Sequence, residues 1–132
     1  DRFAPAAAWL AKGVQLSALG RPFHDYQELD IPIVQLQDGR LTGVVLRIDR
    51  FGNLVTNIDR KNFDQFAARG AIDIRVGEHA VGRLVETYTD IAENEVCALF
   101  GGTEHLEIAA NATSAVARLG VERGARVVVS RG

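Results

Sequence analysis

Ile48-Asp49-Arg50-Phe51-Gly52-Asn53-Leu54-Val55-Thr56-Asn57-Ile58 decides how this chain folds. The apolar run Gly43 to Ile48 leads into it, and Leu54 to Ile58 continues beyond it. Both runs read as strands, so the five residues between them turn the chain back on itself. That turn holds a carboxylate, an aromatic ring, a glycine and a primary amide. A hairpin or bulge with a Gly-Asn corner accounts for the glycine and for one polar residue. It does not call for Phe51 and Asn53 together. A small polar ligand with a flat face accounts for all four groups: a ring to pack on it, an amide to read its edge, and a charge to hold a cationic end. Both readings stand on this string alone.

Period-two patterning extends outward in both directions. Upstream, Ile33 to Gln37 reads as a strand, Asp38-Gly39 is a strong hairpin signal, and Arg40 to Ile48 is a longer strand. Downstream, Lys61 to Arg69 reads as a helix ended by Gly70, with Phe63, Phe66 and Ala67 on its inner face. Strands are expected over Ala71 to Val76, Ala80 to Val85, Val96 to Phe100, His105 to Ala109 and Gly124 to Ser130. A short helix is expected over Thr113 to Leu119, with Thr113 as its cap and Gly120 after it. Some seven short strands with a turn signal every 8 to 12 residues imply a mainly β fold. An antiparallel barrel is preferred to an open sandwich because closure leaves no exposed edge.

The first residues differ. Phe3 to Lys12 is alanine-rich, with Pro5 suited to a first turn and Gly13 to a stop, so a helix opens the chain. A further helical turn is expected before Gly20, and Arg21 to Pro32 reads as an extended linker. A domain rarely opens on its last helix. The expected organisation is therefore residues 1–20 as the terminal helices of an upstream domain, 21–32 as linker, and 33–132 as a carboxy-terminal barrel.

Composition narrows the function. The 132 residues suffice for one domain with a real core, and 47% hydrophobic with 24% charged residues is ordinary for a globular protein. A net charge of -2 with scattered Lys and Arg argues against nucleic-acid binding by phosphate neutralisation. A single-strand nucleic-acid barrel would also need aromatic residues stacked in a basic groove, and aromatics are 7% of the chain. No run approaches the ~20 apolar residues that span a bilayer, and no signal peptide is visible, so the expected compartment is the cytoplasm. Cys97 is the one cysteine, in an apolar run where it is expected to be buried. His24, His79 and His105 lack metal-ligand spacing, and no metal or cofactor is expected. A second glycine-rich corner, Gly101-Gly102-Thr103, feeds a strand and then a helix start. Backbone N–H groups there suit an anion or a base edge, or simply a tight turn and a cap.

Three stretches together resemble one family. Phe3 to Ala8, Ile48 to Ile58 and Leu106 to Asn111, with Tyr88-Thr89-Asp90 between the last two, are similar to landmarks of the S-adenosyl-L-methionine (SAM) hydroxide adenosyltransferases. These are SAM-hydrolysing relatives of the fluorinating and chlorinating enzymes. The resemblance covers essentially the whole chain, but only the carboxy-terminal half of the family's protein. It implies a two-domain enzyme, usually a homotrimer, with SAM held between the amino-terminal domain of one subunit and the barrel of its neighbour. Hydroxide displaces methionine from the 5′ carbon, yielding adenosine and L-methionine. The groups that handle the water belong to the amino-terminal domain, so no catalytic residue is expected in this chain and the fragment alone is expected to be inactive.

By the same resemblance, Asp49 holds the methionine ammonium, Asn53 reads adenine, Phe51 packs beside the ligand, and Tyr88 stands near the aromatic wall. Ala112 meets adenine through its backbone. Ala110 lies alongside, where the fluorinating enzyme has an arginine, which gives no support to halogenation. Gly102 and Thr103 stand where serine and small residues usually hold the methionine carboxylate. Glu104 beside them would repel that carboxylate if it pointed inward. An alternative from another class is a non-catalytic barrel that serves as an interaction or oligomerisation module.

Overall fold

The computed structural model describes residues 2–68 and 70–132. Asp1 and Arg69, the latter expected as a helix end, lie outside the described residues. The chain divides into two compact units, residues 1–30 and 31–132.

In the first unit, α1 (Phe3–Ala11) is followed by α2 (Leu16–Leu19). The expected stop operates as the sequence implies. Gly13 takes φ +85°, its N–H donates to Leu10 O at 2.9 Å, and the helix ends there. Residues 20–34 carry no regular structure.

The second unit is the expected β fold. Its strands are β1 (Gln35–Gln37), β2 (Arg40–Ile48), β3 (Leu54–Asp59), β4 (Ile72–Val76), β5 (His79–Val81), β6 (Val96–Phe100), β7 (His105–Ala110) and β8 (Arg126–Arg131). Seven of them run side by side in the order β5-β4-β8-β2-β3-β7-β6, every neighbouring pair antiparallel, and β1 pairs with β2 off this path. The Asp38-Gly39 hairpin forms with both residues at positive φ, 51° and 70°, matching the twist of the flanking strands.

Strand β2 turns the corner of the barrel. Residues Arg40 to Val44 pair with β8, and from Val45 onward the strand pairs with β3, with a register shift between Val45 and Arg47. A side chain at Gly43 would overlap the Asn57 amide and come within 2.6 Å of Ile58 Cγ1, so only glycine lets β3 approach there. Asn57, buried to 8% exposure, accepts from Val44 N at 2.8 Å and donates to Pro32 O at 2.6 Å.

The strand expected over residues 80–85 is shorter than anticipated. Regular pairing stops at Val81, and the chain then crosses to β6. Ala98 N donates to Arg83 O at 2.8 Å and Val85 N to Ala98 O at 2.9 Å, a single parallel bridge that all but closes the ring. This contact lies between segments remote in sequence, so local patterning carries no sign of it.

Alternation along β2, β4, β7 and β8 sends Leu41, Val45, Ile74, Val76, Leu106, Ile108, Val127 and Val129 into one core. The helix α3 (Arg60–Ala67) adds Phe63 and Phe66 to it, and Asp59 caps its start by accepting from Asn62 N at 2.7 Å. On the opposite face of β6 and β7, Cys97, Leu99 and Ala109 pack with Ile91 and Val85. Cys97 is fully buried, as expected, and burial together with the nearby Asp90 charge raises its thiol pKa. The last helix, α4 (Ala115–Leu119), is capped by Ser114 rather than Thr113: Ala117 N donates to Ser114 Oγ at 3.2 Å. Gly120 follows in the left-handed conformation, φ +62°.

Candidate functional site

The β2–β3 turn is built on the Asp49 carboxylate. Its Oδ1 accepts from Phe51 N at 2.8 Å and from Asn53 N at 3.0 Å, while Oδ2 accepts from Asn53 Nδ2 at 3.1 Å. The backbone closes the same turn through Asp49 N to Asn53 O at 3.0 Å and Gly52 N to Asp49 O at 3.1 Å. Burial opposes ionisation of Asp49, but the bonds from Asn53, Phe51 and Gly52 outweigh it and hold the carboxyl below its ordinary range. The group is therefore a carboxylate at neutral pH, acceptor only.

Gly52 locks this turn to the next landmark. At φ +84° it lies so close to Ser114 that a Cβ would overlap the hydroxyl and sit 2.7 Å from Ser114 Cβ. Its carbonyl accepts from Val116 N at 3.1 Å. The turn thus packs on the start of α4, bringing Phe51 and Asn53 alongside residues 110–113.

Those residues are fixed in turn by Asn111. Its N–H donates to Glu95 O at 3.1 Å, its carbonyl accepts from Asn94 N at 2.9 Å, and its Nδ2 donates to Ile91 O at 2.8 Å. Ala112 follows at φ +56°, a conformation an L-residue adopts at a cost, and such outliers cluster at ligand clamps. The loop held by Asn111 also carries Tyr88, on a single 3-10 turn over Tyr88–Asp90. Thr87 caps that turn: Thr89 N donates to Thr87 Oγ1 at 3.0 Å and Thr87 N donates to Asp90 Oδ2 at 2.9 Å.

These pieces enclose a cavity of about 510 Å³. Asp49, Phe51, Asn53, Tyr88, Ala110 and Ala112 all line it, joined by Thr113. The size is that of a small-molecule site, and its wall combines two exposed rings, Phe51 and Tyr88, with the polar pair Asp49 and Asn53. Asp49 and Asn53 are bonded to each other, line the same cavity and are both half-buried. A second hollow of about 510 Å³, near His79, Arg83 and Arg118, has charges of both signs and no Phe, Tyr or Trp in its wall.

Gly102 and Thr103 are not part of the Asp49 cavity. They form the β6–β7 turn, where Thr103 lines a separate hollow with Asp59, Arg60, Lys61, Asp64 and Glu104. The Glu104 carboxylate is ion-paired with Arg60, which places its charge on that side. His105 also belongs to this turn, with Nδ1 2.7 Å from Thr103 O.

Two residues near the cavity carry roles that the sequence does not announce. Thr113, expected as a helix cap, instead lines the wall. Glu107 lies against Gly101, where a Cβ would overlap its carboxylate. Burial and the Asp49 charge push its carboxyl pKa up, with Arg47 and His105 partly opposing. The alternation of β7 marks Glu107 as facing away from the core, but nothing local links it to Asp49. Among the described residues, no group of three or more His, Cys, Asp or Glu is placed to hold a metal ion.

Residues 43–128 match the family described as the SAM hydroxide adenosyltransferase C-terminal domain. Over the whole chain, a protein of Salinispora tropica named (R)-S-adenosyl-L-methionine hydrolase is 31% identical across 140 aligned positions, which are 49% of its own length. A protein of the same name from Thermus thermophilus is 32% identical over 94% of the chain and 45% of its own length. The chain therefore spans about half the length of the curated relatives it matches. Among solved structures, an uncharacterized conserved protein from Thermotoga maritima superposes with a TM-score of 0.73 at 28% identity, covering 99% of this chain and 51% of its own. A conserved hypothetical protein from Thermus thermophilus gives 0.63 at 33% identity, covering 96% of this chain and 50% of its own.

Proposed function

We propose that this chain, which belongs to the SAM hydroxide adenosyltransferase family as its carboxy-terminal domain, supplies the nucleoside-binding wall of an enzyme that hydrolyses SAM. The observation that carries this reading is convergence. Six residues named from three separated stretches of sequence line one cavity of ligand size. In the proposed complex, Asn53 offers a donor and an acceptor to adenine's Hoogsteen edge, a pairing familiar from adenine recognition in DNA. Phe51 and Tyr88 flank the ring. Asp49 has a lone pair to spare on Oδ2 for the methionine ammonium, and a charge-assisted bond there would fix the leaving group.

The reaction is displacement at the 5′ carbon. An oxygen–carbon bond forms as the carbon–sulfur bond breaks, and methionine departs as a neutral thioether. The groups that activate the water lie outside this chain, in the amino-terminal part of the family's protein, so the chain alone is inactive. A homotrimer with its site between subunits, and SAM as substrate with no further cofactor, complete the proposal. A cytoplasmic location fits it, and no described helix is long and apolar enough to cross a membrane.

Calorimetry of adenosine binding to the full-length protein tests the reading. Asn53→Ala is expected to weaken binding about tenfold or more, the loss of a two-bond base contact. Unchanged affinity would remove Asn53 from adenine recognition. Absence of nucleoside binding by the parent protein would favour a barrel that serves assembly alone.

A further inference from the structure

We infer that Asp49 sets the purine preference of the site by locking the orientation of the Asn53 carboxamide. This rests on the reading of Asn53 as the adenine-facing residue, and it gives Asp49 a role separate from holding an ammonium group.

A carboxamide presents two donors on Nδ2 and an acceptor at Oδ1, and a half-turn about its last bond exchanges them. Asn53 faces a carboxylate oxygen, Asp49 Oδ2, at 3.1 Å. A carboxylate only accepts, so Asn53 must present Nδ2 to it. The flipped amide would set oxygen against oxygen. Asp49 itself is not free to turn away, because Phe51 N and Asn53 N hold its other oxygen at 2.8 and 3.0 Å. The turn thus leaves Asn53 with one N–H and one carbonyl oxygen, in fixed places, for the cavity.

That arrangement discriminates at the purine 6-position. Adenine carries a donor amine there beside the acceptor N7, and each finds its complement on Asn53. Hypoxanthine carries an oxygen at the same place, so the Asn53 carbonyl would face another acceptor. A site built to bond one group rejects its unpaired counterpart strongly.

Asp49→Asn is the informative change. The new side chain keeps an oxygen for Phe51 N and Asn53 N, so its Nδ2 faces Asn53. Donor would then meet donor, and Asn53 flips to present its oxygen. The cavity-facing donor and acceptor exchange places.

Calorimetry of the full-length protein with adenosine and with inosine reads this out. The parent is expected to prefer adenosine about tenfold or more, and Asp49→Asn to bring the ratio within about threefold or invert it. Neither nucleoside has a methionyl chain, so an Asp49 that only holds the ammonium predicts an unchanged ratio. That result overturns the inference while leaving nucleoside binding intact. Equal affinities in the parent do so as well. No adenosine binding by the parent would sink the functional reading and the inference with it. Should the variant fail to fold, a crystal structure of the parent with adenosine decides. Asn53 Nδ2 on Asp49 and Oδ1 on the 6-amino group support the lock, and an Asp49 turned away from Asn53 refutes it.

Discussion

Gly52→Ala tests whether the β2–β3 turn is held against α4 as described. Two costs add at this position. The first is conformational: at φ +84° an alanine pays about 1–2 kcal/mol that glycine does not. The second is steric. The added methyl would overlap Ser114 Oγ and stand 2.7 Å from Ser114 Cβ and 3.3 Å from Ser114 Cα. A side chain this short has no far end to swing aside, so the backbone must yield, at about 1–3 kcal/mol. Together these give about 3 kcal/mol, or roughly 12 °C in Tm at about 4 °C per kcal/mol for a unit near 100 residues. Gly39→Ala isolates the first cost, since Gly39 has φ +70° and open space where its Cβ would go. It is expected to lose only about 1–2 kcal/mol. Urea and thermal unfolding followed by far-ultraviolet circular dichroism supply both values. If Gly52→Ala loses no more than Gly39→Ala, the turn does not pack on Ser114 and the cavity wall is misplaced.

Asn57→Ala is expected to cost about 2–3 kcal/mol, because it strips partners from the Val44 N–H and the Pro32 carbonyl around a buried position. A urea midpoint that scarcely moves would mean that these bonds are dispensable. Glu107→Gln acts through pH. The folded-state pKa of Glu107 lies above its unfolded value of about 4.3, so the folded chain binds this proton more tightly and loses stability as pH rises through that window. The glutamine variant should therefore melt higher than the parent at pH 7, with the gap closing below about pH 4. A gap that stays constant with pH would refute the link to ionisation.

What could be read from sequence was local. Apolar runs on either side of the Asp49 turn identified the β2 and β3 segments, Asp38-Gly39 announced its own hairpin, and Gly13 ended α1, because each signal acts within a few residues. Tertiary chemistry was hidden. Asn57 sits in the same string as Asn53, yet it pins Pro32 and Val44 inside the fold while Asn53 faces the cavity. Asn53 lies in the turn before β3, while Asn57 lies on the strand itself, facing Gly43 of β2. Thr113 and Ser114 are adjacent hydroxyl residues, and which one caps α4 depends on where the chain leaves β7. The resemblance brought Asp49 and Asn53 to one ligand, but their contact with each other follows from the Asp49-centred turn. Gly102 and Thr103, grouped with them through the same resemblance, lie in the β6–β7 turn, where Thr103 lines a different hollow.

The seam at Leu84 and Ala98 gives the unit an asymmetric latch. Elsewhere around the ring, strands are joined by ladders several residues long, but here one residue pair nearly closes the circle. The chain leaving that latch runs within a few residues to Tyr88. The bridge thus anchors the segment that brings Tyr88 to the cavity wall. Closure of the ring and the placing of one cavity wall therefore fall to the same short segment, residues 83–88.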